Sequence, residues 1–251
     1  MAARTGGARL EGLMTTRASS LTHVRPVEPL RFPVQEPDEE RMGQGRRHLY
    51  LCTALQEIIR ASCVPENTVG FDQFVYFDAS NPKRCLAPDA FVRLGVPDHD
   101  FDSYLVWEEG TPDVAFEVLS PSDTPERWTF EEKLRRYGAL GVRELITFHV
   151  DGEPGQRLRV WDRIEHDLIE RVVTGDMTPC LTLGMTVLVA SVDEYPVALR
   201  LARDADGRDL VLTKEERRLA AEADRLAAEA ERDAARKRVS ELERELAARG
   251  D

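Results

Sequence analysis

Three segments concentrate side chains that could do chemistry: "LAPDAFV" around Asp89, "TPDVAFEVLSPS" around Glu117, and "FEEKLRRYGALGV" around Lys133. Side chains alternate along a strand, so Asp113, Ala115, Glu117 and Leu119 share one face of the second segment, and Val114, Phe116 and Val118 the other. A glutamate set between apolar neighbours loses its hydration if buried and then needs a partner. A divalent cation is one such partner, and a plain salt bridge is the other. Asp113 lies four residues before Glu117, about 13 Å away at a rise of roughly 3.3 Å per residue, too far for both to ligate one ion. Asp89, from a separate strand that could lie alongside, is the better second carboxylate. Two carboxylates, a backbone carbonyl and waters make a hard-oxygen site suited to Mg²⁺ or Mn²⁺. Such an ion lowers the pKa of a bound water and stabilises charge on a phosphate. A nearby lysine could hold the attacking water or neutralise the phosphate further.

Lysine is scarce in this chain: of 34 basic residues only Lys83, Lys133, Lys214 and Lys237 are lysines. A chain that uses arginine almost everywhere keeps a lysine where arginine cannot substitute, which draws attention to Lys133. The plain alternative is a surface pair with a neighbour one helical turn away, Thr129 or Tyr137.

The elements that must position these groups follow from periodicity. Leu49, Cys52, Leu55, Ile58 and Ile59 predict a helix over 46–61. Strand-like runs follow at Val69–Phe77, Cys85–Leu94 and Asp113–Leu119, bounded by Asn, Pro, Gly or Asp. "SPSDTP" then breaks the chain, with Ser120 and Ser122 as turn and helix-entry residues. Thr129 and Glu132 form a capping-box pattern, and the helix they begin stops at Gly141. "VRELITFHV" reads as a strand, "RLRVWDR" and "DLIERVVT" as a hairpin, and "LTLGMTVLV" as a last extended segment. The order predicts an α/β fold with a mixed sheet flanked by helices. From Thr213 the chain turns to Ala, Glu, Arg and Leu. Leu212, Leu219 and Leu226 are seven apart before the phase slips to Val239, Leu242 and Leu246. That is one long helix, either paired as a short coiled coil or solvated and held by ion pairs.

Composition bounds the function. With 251 residues, 42% of them hydrophobic, the chain can fill a core, and wholesale disorder is excluded. No apolar run approaches the roughly 20 residues needed to span a bilayer, and the arginines near the N-terminus precede no signal-peptide core. Cys52, Cys63, Cys85 and Cys180 show no paired or metal-ligand spacing and read as reduced thiols, which suits the cytoplasm. The histidines (His23, His48, His99, His149, His166) form no HxxxH or HExxH pattern and read as structural or exposed. A net charge of −12 disfavours a nonspecific nucleic-acid binder. Contact with DNA must then come from a local basic patch, or from metal ions bridging acidic residues to phosphate.

"APDAFV", "PDVAFEVLSPS" and "EEKLRRYGALGV" followed by a strand resemble the Uma-two branch of restriction-endonuclease relatives, a bacterial domain within the PD-(D/E)XK nuclease superfamily. The resemblance covers roughly residues 30–200, and the charged continuation resembles the helical extensions many members carry. It implies that Asp89 is the aspartate of the PD motif and that Glu117 is the acidic residue of the (D/E)XK strand. The superfamily's usual lysine would fall at Leu119, which is apolar. In this branch the lysine is taken from the following helix, which points to Lys133.

The expectation is therefore a cytoplasmic endonuclease of restriction-endonuclease-like fold that hydrolyses DNA phosphodiester bonds with Mg²⁺ or Mn²⁺. Asp89, Glu117 and the backbone carbonyl of Val118 hold the ion, Lys133 serves the phosphate or the water, and Asp113 takes an outer-shell role. Residues 1–25 form a disordered tail, 26–200 the nuclease-like domain, and 201–251 a charged helix that could pair two copies into a homodimer. The rival expectation is a nuclease fold kept for binding or assembly, with catalysis weak or lost; the acidic core and Leu119 favour it.

Overall fold

The structure, a computed structural model, describes residues 45–119 and 129–249, which belong to one unit. The expected tail, Ser120 and Ser122 lie outside the described residues.

Helix α1 (Arg46–Cys63) presents Leu51, Leu55, Ile58 and Ile59 as one buried face. Their three- and four-residue spacing places them together on the side that meets the sheet. That sheet has six strands: β1 (Thr68–Gly70), β4 (Ala90–Arg93), β6 (Val114–Leu119), β7 (Glu144–His149), β8 (Leu158–Ile164) and β9 (Asp167–Arg171), in the order β1-β4-β6-β7-β8-β9. Within it β6 and β7 are parallel and every other pairing is antiparallel. Parallel neighbours need a crossover between them, and α3 (Phe130–Leu140) lies in that connection.

The two faces of β6 divide the core. Val114, Phe116 and Val118 pack with α1, whereas Ala115 packs with Tyr137 and Leu140 of α3. The α3 ends are fixed locally. Thr129 accepts the Glu132 amide at 3.3 Å, and Gly141 closes the helix in the left-handed conformation (φ 98°, ψ 18°) that a residue without Cβ adopts at no steric cost.

Two regions depart from the sequence reading. The runs 69–77 and 85–94 are each broken in two. Short β2 (Val75–Tyr76), β3 (Cys85–Leu86) and β5 (Tyr104–Leu105) form a separate three-stranded sheet beside the four-residue helix α2 (Val106–Glu109). The breaks fall where Asp72 takes φ 59° and where Pro88 has no amide hydrogen to give a ladder.

The last extended segment, for its part, is a three-stranded antiparallel sheet of β10 (Met177–Cys180), β11 (Met185–Val192) and β12 (Tyr195–Ala202). Residue 201 therefore lies in a strand, and the long helix α4 (Lys214–Arg249) starts thirteen residues later. Its start is a reciprocal cap: the Glu216 amide donates to Thr213 Oγ1 at 3.2 Å, and the Thr213 amide to Glu216 Oε2 at 2.8 Å. Buried Arg200 of β12 clamps the same Glu216 at 2.7 and 2.9 Å. Beyond this anchor α4 is exposed, laced by pairs such as Arg218–Glu222 and Arg225–Glu229. No described helix is long and apolar enough to cross a membrane.

Candidate functional site

Glu117 sits mid-strand on β6, 3% exposed, with its side chain on the α3 face. Lys133 and Tyr137 are one turn apart on α3 and both reach it. Lys133 Nζ donates to Glu117 Oε2 at 2.6 Å, and the Tyr137 hydroxyl donates to Oε1. Lys133 is thus no surface lysine; it is the counter-ion of a buried carboxylate. Burial pushes the Glu117 carboxyl up to about 7; Lys133 pulls it down, and the charge of Asp89 raises it again.

Asp89 comes from the segment just before β4. The β4–β6 ladder runs from Val92–Val114 to Ala90–Phe116, so Asp89 leaves it beside the Glu117–Val118 step of β6. Asp89 Oδ2 accepts the Val118 amide at 2.7 Å. A strand residue's N–H and C=O point to the same side, so the Val118 carbonyl also faces the Pro88–Asp89 edge, and Pro88 has no amide hydrogen to offer it. Asp89 thus lies beside Glu117 at the start of β4, near enough for its charge to raise the Glu117 carboxyl.

Asp113 is placed elsewhere. It lies at the opposite end of β6, buried, where Oδ2 accepts from Arg93 at 3.0 Å and from the Leu94 amide at 2.8 Å, and Oδ1 pairs with Arg143 at 3.1 Å. The outer-shell role expected of it gives way to that of a clamp joining β4, β6 and the entry to β7. Leu119, at the position of the superfamily's usual lysine, accepts the Val150 amide through its carbonyl at 3.0 Å and contributes no charge.

Four residues that the sequence reading did not place in the site belong to its surroundings. His48 and Cys52 of α1 face Asp89 Oδ1, with Nε2 at 3.4 Å and Sγ at 3.5 Å, and lie 3.3 Å from each other. Burial, followed by the charge of Asp89, holds the Cys52 thiol far above its ordinary range. Asp72 is raised first by burial and then by Asp89, with His48 pulling it down. Tyr137 is the fourth. The spacing of four between His48 and Cys52 was the available signal; nothing near Asp72 in the sequence marks it.

The outer side of α3 is basic. Arg84, Arg135 and Arg136 line an open hollow of about 220 Å³ with Phe77, Glu132 and Ala139. Arg84 stacks over the Phe77 ring at 5.0 Å. Three arginines thus line this hollow against one glutamate, with Arg84 also paired to Asp78 at 3.3 Å, in a chain whose net charge is −12.

Comparison with known proteins adds a family. The family model Uma2, described as "Putative restriction endonuclease", matches residues 38–190. Among solved structures, a protein from Anabaena variabilis described as a "putative nuclease belonging to DUF820" is 16% identical, covering 57% of this chain and 75% of its own, with a TM-score of 0.40. No curated protein matches the chain.

Proposed function

Because the chain belongs to the Uma2 family, we propose that it is a divalent-metal-dependent endonuclease acting on DNA, with Asp89, Glu117 and Lys133 as its working residues. One observation carries the reading: Lys133, supplied by a helix, meets Glu117 at 2.6 Å, while Asp89, held by the Val118 amide at 2.7 Å, stands beside that same glutamate.

In this reading Asp89, Glu117 and the Val118 carbonyl hold Mg²⁺ or Mn²⁺. A bound ion of this kind supplies a water of lowered pKa and stabilises negative charge on phosphate. Tyr137 keeps the Glu117 carboxylate in one orientation through its hydroxyl. Lys133 neutralises Glu117 in the ground state. Were a cation held by the carboxylate, Lys133 would be the group placed to position a water or to stabilise the phosphate. Arg84, Arg135 and Arg136 give the DNA backbone a basic surface beside the site. Residues 26–200 act as the nuclease-like domain, and the protein works in the cytoplasm.

The dimer belongs to the same proposal. Leu219, Leu226, Val239 and Leu242 are exposed apolar positions along α4, and pairing two copies through them would bring two sites to two strands. Sedimentation of the full chain against Leu219→Glu/Leu226→Glu tests it: a dimer turning to monomer supports the pairing, and equal masses remove α4 from the assembly.

A second reading, a fold retained for binding, is favoured by the fact that protein donors engage both oxygens of Glu117. Cleavage of supercoiled plasmid with Mg²⁺ or Mn²⁺ separates the two. Metal-dependent nicking by the wild type, reduced at least about 100-fold in Glu117→Gln and in Lys133→Ala, is the expected result. A folded wild type that nicks nothing on several substrates moves the function to binding.

A further inference from the structure

The structure assigns a second cation site, for a borderline-soft divalent ion such as Zn²⁺, to His48, Cys52 and Asp89. These residues supply one nitrogen, one sulfur and one oxygen within 4.8 Å of one another, the only such group among the described residues. The three edges of the triangle are 3.3 Å (His48 Nε2 to Cys52 Sγ), 3.4 Å (His48 Nε2 to Asp89 Oδ1) and 3.5 Å (Cys52 Sγ to Asp89 Oδ1). A tetrahedral zinc with Zn–N and Zn–O near 2.1 Å and Zn–S near 2.3 Å requires edges of roughly 3.4 Å between N and O and roughly 3.6 Å to sulfur, within about 0.3 Å of those observed. The side chains therefore stand close to zinc-ligand spacing.

The chemistry differs from that of the Glu117 side. Thiolate and imidazole select zinc or cobalt, whereas two carboxylates and a carbonyl suit magnesium. Asp89 joins the two through separate oxygens, Oδ1 toward α1 and Oδ2 toward the Val118 amide. Asp89 acts on both Asp72 and Glu117, and burial first and Asp89 second hold the Cys52 thiol protonated. A bound cation must displace that proton, so its affinity rises with pH. His48 lies one turn from Cys52 on a well-packed helix, which fixes both ligands before the ion arrives.

The inference shares Asp89 with the nuclease reading but does not depend on it, because His48 and Cys52 take no part there and the readout needs no cleavage. Metal-stripped full-length protein is titrated with Co²⁺ and then with Zn²⁺. One equivalent of Co²⁺ should give intense tetrahedral d–d absorption with a thiolate-to-cobalt charge-transfer band, bleached by Zn²⁺. Cys52→Ser and His48→Ala should abolish the band, and each should weaken Zn²⁺ binding by more than the roughly 10–100-fold that loss of an outer-shell partner costs. Glu117→Gln should keep it. A second measurement on the wild type alone guards against variants that fail to fold. Zn²⁺ should slow alkylation of Cys52, read peptide by peptide, and leave Cys85 unchanged. Weak octahedral cobalt absorption, a band lost in Glu117→Gln, or Cys52 alkylation indifferent to Zn²⁺ would each overturn the site and leave a hydrogen-bonded triad.

Discussion

Lys133 Nζ lies 2.6 Å from Glu117 Oε2, joining the crossover helix to the central strand through a pair with 15% and 4% side-chain exposure. The pair decides how the buried glutamate survives. Desolvation favours the neutral carboxylic acid and the ammonium favours the carboxylate; with Glu117 at about 7, desolvation has the larger say. The charge of Asp89 works in the same direction as burial.

Stability should fall as pH rises from about 4.5 to 7 in metal-free buffer. In the unfolded chain Glu117 titrates at its ordinary value of 4.5; in the folded protein it titrates near 7. Across that window the folded state holds a proton that the unfolded state has released, so raising the pH favours unfolding by a few kcal/mol in total. Urea midpoints measured with a chelator should show this slope, and Glu117→Gln should flatten it. Parallel curves for the two proteins would mean that the slope arises elsewhere.

Lys133→Met should be most damaging at alkaline pH. Removing one partner of a buried pair leaves an uncompensated charge, at a cost of about 3–5 kcal/mol. Glu117 can escape that cost by taking up a proton, so the loss seen at pH 8 should shrink toward pH 5. The same midpoints check it, and a loss independent of pH would point to packing instead of charge.

How much of this was legible in the sequence depended on whether the determinants were local. The α3 boundaries were, because Thr129, Glu132 and Gly141 act within one turn of themselves. The faces of β6 were too, since strict alternation separates Glu117 from Phe116 and Val118. The α/β class with its mixed sheet and long terminal helix followed from the order of such elements. The three-stranded sheet of β2, β3 and β5 was not legible, because two-residue strands carry no period to read. Strand β12 merged with the charged continuation, since Arg200 looks like a surface residue until Glu216 is folded over it. The contact of His48 and Cys52 with Asp89 joins residues 37 or more apart in sequence, and only the packing of α1 on the sheet brings them together.

Arg135→Ala/Arg136→Ala should weaken DNA binding without touching the acids. The hollow these arginines line with Arg84 is open to solvent, so their worth is phosphate neutralisation. For every phosphate that an arginine no longer neutralises, the slope of log affinity against log salt should shrink by about 0.9. Binding to a duplex in Ca²⁺ across a salt series should therefore show a slope lower by one to two of those steps. An unchanged slope would place the DNA on another face.

Arg200→Met should free the base of α4 while leaving the nuclease-like core folded. Arg200 is fully buried and satisfies Glu216, the Ser191 carbonyl at 2.7 Å and the Val211 carbonyl at 3.1 Å. Its removal strands Glu216, which also caps the helix through Thr213, so two anchors weaken together. The expected cost is about 3–5 kcal/mol. Because α4 beyond its first turn is exposed, the damage should stay local. Amide exchange should accelerate in residues 211–220 and along β12, and remain slow in β6 and β7. Glu216→Gln, which retains a hydrogen-bonding side chain, should lose less. Equal acceleration across the central sheet would show that the Arg200 clamp holds the core as a whole, and not α4 alone.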